Sequence, residues 1–316
     1  MKQHNLKNLS CWLVCESDLI GTENQCIAVA EALGVNALKR YITLREPWRS
    51  LTPWLGFENS FMFAHKDHGV EPPWPDLVIA AGRKSIAASR FIKRQSKGQS
   101  FTVQLQDPRI DLRYFDLVAV PQHDPARGEN VIVTDGAPNR ITAKRLDAAK
   151  ESFSEFAASA SPRIAVLIGG SSKAYRLTPA ITRKLSEQLR TIHGSLMITP
   201  SRRTGDENEA ILRDALPNAY IWDGKGENPY FAMLAHADYI LVTADSASMI
   251  SDACSTGKPV YMIPLEGGHP RINKLHNHLI EKGVLKVFEG NLETYTYEPL
   301  HDAVKIANAI KERMKL

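Results

Sequence analysis

The chain has 316 residues, of which 43% are hydrophobic and 23% are charged, and its net charge is +4. This length favours two domains, and this composition is typical of a globular protein. No apolar run approaches the roughly 20 residues of a membrane-spanning helix, and no basic run with interleaved aromatic residues indicates nucleic-acid binding.

The N-terminal residues are polar, and the apolar run from Cys11 to Cys15 meets Glu16 too soon to be the core of a signal peptide. We therefore expect a cytoplasmic protein that begins at or near Met1. The four cysteines form no CxxC motif and have no histidine at metal-ligand spacing, which argues against a zinc site and a disulfide framework. We expect no bound metal.

Short apolar runs alternate with amphipathic helical segments along almost the whole chain, which predicts parallel sheets covered by helices. Gly34 is expected to end the helix that follows the first strand, because glycine readily adopts the left-handed conformation of a helix C-terminus. The first series of predicted strands is Trp12 to Cys15, Ala37 to Ile42, Leu77 to Ala81, Phe101 to Leu105, Leu117 to Val120 and Val131 to Val133.

The segment from Arg45 to Pro75 departs from this alternation because it is rich in aromatic residues, among them Trp48, Trp54, Phe61 and Phe63. Two interpretations stay open. The balanced charge of the segment favours an amphipathic excursion packed on its own domain. The alternative is a peripheral patch from Trp48 to Phe63 that rests on the inner face of a membrane.

The second series opens at Arg163, after a small polar stretch that predicts a domain boundary. Thr178 and Pro179 predict a helix start, because a threonine cap and a proline at the first helical position both favour one. The predicted strands are Ile164 to Ile168, Leu196 to Thr199, Tyr220 to Trp222, Tyr239 to Thr243 and Pro259 to Ile263. We expect domains at 1–160 and 161–298, followed by a terminal helix at 299–316.

Ligands of open α/β sheets bind at the carboxyl ends of the strands, so the loops after the second series of strands are candidate binding loops. Gly169-Gly170-Ser171 lets backbone amides approach a phosphate, although a tight turn explains the glycines equally well. Ser201-Arg202-Arg203 suits a diphosphate because guanidinium groups bind phosphate oxygens in pairs. Solvated loop arginines are an equal alternative.

A third candidate loop follows Thr243 and contains Asp245, Ser246, Ser248 and Met249. Its hydroxyls and free amides gather at a helix N-terminus, which favours an anion. Simple N-capping by Asp245 or Ser246 is part of the same pattern.

Asn228 and Asp252 complete the predicted nucleotide site. Asn228 precedes a proline at the start of a further helix, and Asp252 is suited to accept hydrogen bonds from ribose hydroxyls. Three phosphate-suited loops at the strand ends of one sheet favour a nucleotide-diphosphate site over coincidence.

The corresponding loops of the first series form a polar rim suited to an acceptor and a general base. Asp18, Asp107 and His123 are candidate bases by location. Taken singly, each is better explained as a structural cap or turn residue.

As a set, these motifs resemble the family named for the plant mitochondrial fission ("elongated mitochondria") protein, which has many bacterial members. The resemblance spans nearly the whole chain. The motifs that carry it include Glu23-Asn24-Gln25, Gly82-Arg83-Lys84-Ser85, Asp107-Pro108-Arg109, Ser201-Arg202-Arg203-Thr204, Trp222-Asp223-Gly224, Val242 to Met249 and Thr256 to Val260.

That family is in turn similar to GT-B glycosyltransferases such as the peptidoglycan and lipid A disaccharide synthases. The resemblance implies an α/β fold of two Rossmann-like parallel-sheet domains facing a cleft, with a C-terminal helix that crosses back to the first domain. It also implies that the segment from Ala237 to Pro264 binds the donor nucleotide and that an acidic residue at the position of Asp252 holds the ribose. Here that residue is Asp rather than Glu.

The leading hypothesis is a metal-independent glycosyltransferase that takes a nucleotide-diphosphate sugar as substrate, needs no cofactor, and acts on an unknown lipid-linked or envelope acceptor. Two alternatives stay open. One is a non-catalytic membrane-associated scaffold, as the fission role of the plant relatives implies, and the other is a GT-B-fold sugar-nucleotide epimerase. A short-chain-dehydrogenase epimerase is disfavoured because no tyrosine is followed four residues later by lysine.

Overall fold

The computed structural model describes residues 6–17, 19–56, 58–65 and 69–316. Contacts within the chain divide it into two compact units. Unit 1 comprises Met1–Arg140 and His301–Leu316, and unit 2 comprises Ile141–Leu300.

Unit 1 contains six parallel strands: β1 (Cys11–Glu16), β2 (Ala37–Ile42), β3 (Leu77–Ala81), β4 (Phe101–Leu105), β5 (Leu117–Pro121) and β6 (Val131–Thr134). They form one sheet in the order β2-β1-β3-β4-β5-β6. The first helices of unit 1 are α1 (Ile20–Leu33), α2 (Trp48–Leu51) and α3 (Ser85–Gln95). Every residue of β3 is buried, as expected for a parallel strand covered on both faces. The six strands predicted for this half are confirmed.

The strands of unit 2 are β7 (Arg163–Ile168), β8 (Tyr175–Arg176), β9 (Ser195–Pro200), β10 (Tyr220–Ile221), β11 (Tyr239–Thr243), β12 (Val260–Ile263), β13 (Glu266–Gly267) and β14 (Lys286–Val287). Six of them form a second parallel sheet in the order β10-β9-β7-β11-β12-β14. The helices of unit 2 are α4 (Ala143–Ser152), α5 (Pro179–Thr191), α6 (Asp206–Ala215), α7 (Tyr230–His236), α8 (Ala247–Cys254) and α9 (Pro270–Glu281). The pair β8 and β13 forms a separate antiparallel ladder.

Capping residues end and start the helices where the sequence predicts them. Gly34 has φ +79° and its N–H bonds the carbonyl oxygens of Ala30 and Glu31 at the end of α1. The Thr178 side chain accepts a hydrogen bond from the Ile181 N–H at the start of α5, with Pro179 at the first helical position. Local chemistry therefore sets these boundaries.

The terminal helix α10 (Asp302–Met314) belongs to unit 1, as the expected GT-B arrangement requires. Ile306 and Ile310 are fully buried in the core cluster that also contains Cys26 and Val29 of α1. The Asp302 carboxylate accepts hydrogen bonds from the backbone N–H groups of Asp135 and Gly136, at 2.9 and 2.8 Å. Helix α10 thus completes the core that α1 and the strands of unit 1 form.

The division between the units lies at Arg140 and Ile141, earlier than the expected boundary at residue 160. Helix α4 packs with unit 2, because Leu146 and Ala149 lie against the cluster that contains Met233. The polar stretch before Arg163 therefore joins two elements of unit 2.

The aromatic segment of unit 1 divides between core and surface. Met62 and Phe63 are fully buried, in a cluster with Trp12 and Val14. Trp54 and Phe61 are exposed by 64% and 71%. Within the described ranges, no helix is both long and apolar enough to span a membrane.

Candidate nucleotide-binding site

Unit 2 contains a cavity of about 550 Å³ at the carboxyl ends of its strands. Strand β7 connects on one side to β9, and the chain later returns to place β11 on its other side, so the sheet order reverses at β7. Crevices at such switch points are the usual ligand sites of open α/β sheets. The lining residues are Ile168, Thr199, Pro200, Ser201, Arg202, Glu209, Trp222, Asp223, Gly224, Asn228, Tyr230 and Met249.

Four of the residues predicted from sequence line this cavity: Ser201, Arg202, Asn228 and Met249. Arg202 is exposed and makes no ion pair among the described residues. Its guanidinium group is therefore available to a ligand. The Asn228 side-chain oxygen accepts a 3.0 Å hydrogen bond from the Tyr230 N–H and so fixes the start of α7 at the cavity wall.

Other residues of unit 2 occupy the space beside the predicted glycine loop. A side chain at Gly169 would overlap the Asp245 carboxylate, and one at Gly170 would overlap the backbone carbonyl of Arg203. The Gly169 N–H donates a 2.8 Å hydrogen bond to the Thr243 hydroxyl. Close packing within unit 2 thus accounts for both glycines, and neither lines the cavity.

Arg203 and Asp245 bind each other rather than facing the cavity. The Arg203 Nη1 lies 2.8 Å from the Asp245 Oδ2, and the Asp245 side chain is fully buried while that of Arg203 is 44% exposed. The Thr243 hydroxyl donates a 2.7 Å hydrogen bond to the other carboxylate oxygen. The two neighbouring arginines therefore differ in role, and only Arg202 lines the cavity.

The serine hydroxyls of the candidate loops make hydrogen bonds within unit 2. The Ser246 side chain caps α8 by accepting a hydrogen bond from the Met249 N–H, and the Ser171 hydroxyl accepts one from the Leu177 N–H. The Ser201 hydroxyl donates to the Gly169 carbonyl. Ser248 lies in the first turn of α8, half-buried and outside the cavity lining. Met249 brings the N-terminal end of α8 to the cavity wall.

Asp252 lies behind the cavity wall rather than in it. The Tyr230 hydroxyl donates a 2.8 Å hydrogen bond to the Asp252 Oδ2, and Tyr230 lines the cavity. Burial raises the pKa of Asp252 from 3.8 to about 6, although the hydrogen bond from Tyr230 lowers it. The expected ribose contact would therefore pass through Tyr230.

The other lining residues were not predicted from the sequence as part of the site. Trp222 and Asp223 directly follow β10, so the rule that ligands meet strand ends points to them. Strand β10 has only two residues, which gives a weak signal in the sequence. Nothing in the sequence indicates Glu209, because it lies within α6 rather than after a strand. The packing of α6 brings it to the cavity.

The candidate bases lie in unit 1 and have different surroundings. Asp18 lies outside the described residues. Asp107 accepts a 2.8 Å hydrogen bond from the Arg109 N–H and thereby closes a turn. The His123 side chain is 11% exposed, and its Nε2 lies 3.8 Å from Oδ1 of the fully buried Asp124 side chain. This separation is longer than a hydrogen bond, and the other ring nitrogen of His123, Nδ1, is buried.

Comparison with known proteins identifies relatives in plants and bacteria. The model of a family described as mitochondrial fission ELM1 matches residues 20–314. Mitochondrial fission protein ELM1 of Arabidopsis thaliana is 33% identical over 278 residues, covering 77% of this chain. The match spans 65% of the plant protein, less than two thirds of its length. Uncharacterized protein RP120 of Rickettsia prowazekii is 27% identical and covers 98% of this chain and 99% of its own.

Solved structures share the fold at low identity. MurG of Acinetobacter baumannii superposes with a TM-score of 0.51 at 13% identity, covering 97% of this chain and 92% of its own. UDP-GlcNAc 2-epimerase of Methanocaldococcus jannaschii gives 0.53 at 12% identity, covering 96% and 100%. MnaA of S. aureus, solved with UDP, gives 0.52 at 12% identity, covering 97% and 89%. These likenesses establish the GT-B fold.

Proposed function

Since the chain belongs to the mitochondrial fission ELM1 family and has the GT-B fold, we propose that it is a glycosyltransferase that uses a nucleotide-diphosphate sugar. The observation that carries this proposal is the cavity at the switch point of unit 2. It is lined by Arg202, which has no ion pair within the described part of the chain, and by Met249 of the first turn of α8. Both features favour an anionic diphosphate.

Charge neutralisation on the leaving group is the central chemical requirement of such a transfer. The Arg202 guanidinium and the N-terminal end of α8 would stabilise the negative charge that develops on the departing nucleoside diphosphate. These groups supply positive charge without a divalent metal, so we propose a metal-independent reaction.

Unit 1 would bind the acceptor and supply the general base. His123 is the best-placed of the described candidates because the Asp124 carboxylate lies beside its ring. It would take the proton of the attacking acceptor hydroxyl.

The exposed apolar residues of unit 1 favour an acceptor at a membrane. Leu51, Trp54 and Phe61 are exposed by 48%, 64% and 71%, and the Arg83 guanidinium lies 5.4 Å from the centre of the Trp54 ring. Aromatic rings beside arginines suit the interface of an anionic membrane. We propose peripheral contact there, which sedimentation with anionic vesicles would test. Recovery of the protein in the supernatant would refute it.

A decisive test incubates the protein with a panel of nucleotide sugars and lipid-linked acceptors and follows products by mass spectrometry. Transfer predicts release of a nucleoside diphosphate together with a glycosylated acceptor, and loss of both in Arg202→Ala. Conversion of a sugar nucleotide to its epimer without any acceptor would instead establish an epimerase, the activity named for one of the structural neighbours. A scaffold would retain its cellular role in Arg202→Ala.

A further inference from the structure

The cavity of unit 2 spans the ends of four neighbouring strands, from β10 to β11. Asp223 and Gly224 follow β10 at the edge of the sheet, whereas Met249 belongs to α8, which follows β11. Strands β9 and β7 lie between them. Neighbouring strands are about 4.8 Å apart, so the cavity extends over about 14 Å of strand ends. A nucleoside diphosphate can lie across this span.

Charge decides which way such a ligand lies. The diphosphate is attracted to Arg202 and to the N-terminal end of α8, and it is repelled by the carboxylate of Asp223 at the β10 end. This favours an orientation with the base at the β10 end, beside Trp222 and Asp223.

Both side chains at that end are held in place by one backbone segment. The Trp222 Nε1 donates a 3.0 Å hydrogen bond to the Lys225 carbonyl oxygen, and the Asp223 Oδ1 accepts a 3.0 Å hydrogen bond from the Lys225 N–H. A fixed indole ring can stack on a base, and a fixed carboxylate can accept hydrogen bonds from its edge. The other carboxylate of the cavity lining, that of Glu209, lies 3.9 Å from the Arg213 guanidinium.

Resting on the nucleotide-diphosphate function proposed above, we propose that Asp223 selects guanine, so that the donor is a guanosine-diphosphate sugar. Guanine is the only one of the common bases with two adjacent N–H donors, at N1 and N2, and they match the two oxygens of a carboxylate. Uracil presents one donor between two carbonyl oxygens, which the carboxylate would repel. Adenine and cytosine place a ring acceptor beside their single amino group.

Titration calorimetry of the intact chain with GDP, UDP, CDP and ADP tests this selection directly. We expect GDP to bind about tenfold or more tightly than the others, as one bidentate pair to a base edge allows. If UDP binds as tightly as GDP, base selection by Asp223 is overturned while the proposed function stands. If none of the four binds, both are overturned.

The variant Asp223→Asn reverses the hydrogen-bonding pattern at one atom. It should weaken GDP binding about tenfold and strengthen binding of xanthosine diphosphate, whose 2-carbonyl accepts from the introduced amide. Glu227→Gln is the matched control, because it removes a carboxylate from the same loop but does not line the cavity. Unchanged GDP affinity in a folded Asp223→Asn protein, or equal losses in both variants, would refute the assignment.

Discussion

The Tyr230 hydroxyl and the Asp252 carboxylate form a 2.8 Å hydrogen bond directly behind the wall of the cavity. Burial raises the pKa of Tyr230 well above 10, and it also raises the pKa of Asp252 to about 6. The tyrosine therefore stays protonated throughout the pH range in which Asp252 titrates. Tyr230 thus connects the cavity lining to the Asp252 carboxylate.

The raised pKa of Asp252 makes stability depend on pH. Between pH 3.8 and about 6 the folded protein holds a proton that the unfolded chain has released, so the free energy of unfolding falls as pH rises through this range. A shift of this size corresponds to at most about 3 kcal/mol. Asp252→Asn removes the titration, and urea unfolding of both proteins from pH 4 to 7 measures it. Parallel stability curves would contradict the buried position.

Neighbouring arginines should respond differently to alanine substitution. Arg202→Ala should change the free energy of unfolding by less than about 0.5 kcal/mol and weaken nucleoside-diphosphate binding at least about tenfold. Arg203→Ala should cost about 1 to 2 kcal/mol of stability, because it leaves the buried Asp245 carboxylate without its cation. This expected loss of stability is smaller than that for a fully buried ion pair, because Arg203 is partly exposed. Denaturation and calorimetry on both variants separate these roles, and equal effects would refute them.

The glycine turn should be required for folding rather than for binding. Gly170 has φ +130° and a methyl group there would overlap the Arg203 carbonyl, so Gly170→Ala should cost at least about 2 kcal/mol. Gly205→Ala is the control, since Gly205 has φ +78° but open space around it. It should cost only about 1 kcal/mol. Thermal unfolding compares the two, and equal losses would show that backbone strain alone matters.

His123 should affect turnover without affecting donor affinity. His123→Asn should lower the rate of sugar transfer about 100-fold or more, as loss of a general base does, while nucleotide affinity stays unchanged. Asp107→Asn is the control because asparagine can close the same turn. Steady-state kinetics on a donor and acceptor pair would check both variants. A wild-type rate in His123→Asn would remove the histidine from the mechanism.

The sheets of this fold were predictable because their strands are continuous apolar runs. Leu77–Ala81 is buried on both faces, and a short continuous apolar run of this kind is typical of a central parallel strand. The two-residue strand β14 was not predictable, since so short a segment has no periodicity. Helix α4 has a recognisable threonine cap, but its assignment to unit 2 depends on long-range packing.

The location of the candidate site was predictable from the sequence, but only some of its residues were. Arg202 and Arg203 both follow a strand, so the sequence predicts both as ligand-binding residues. It does not show which of the two forms an ion pair with a buried carboxylate. In the structure Arg203 forms this ion pair, and its partner Asp245 lies 42 residues after it in the sequence. Local patterns thus locate a binding edge, whereas the division between structural and ligand-facing residues depends on distant partners.

The return of α10 to unit 1 has a consequence for the newly made chain. The helix buries Ile306 and Ile310 against α1, so the core of unit 1 lacks part of its hydrophobic surface until α10 is synthesised. Unit 2 is one continuous segment, Ile141–Leu300, and it is fully synthesised before α10. On the ribosome, the half that emerges first is therefore the half that finishes folding last.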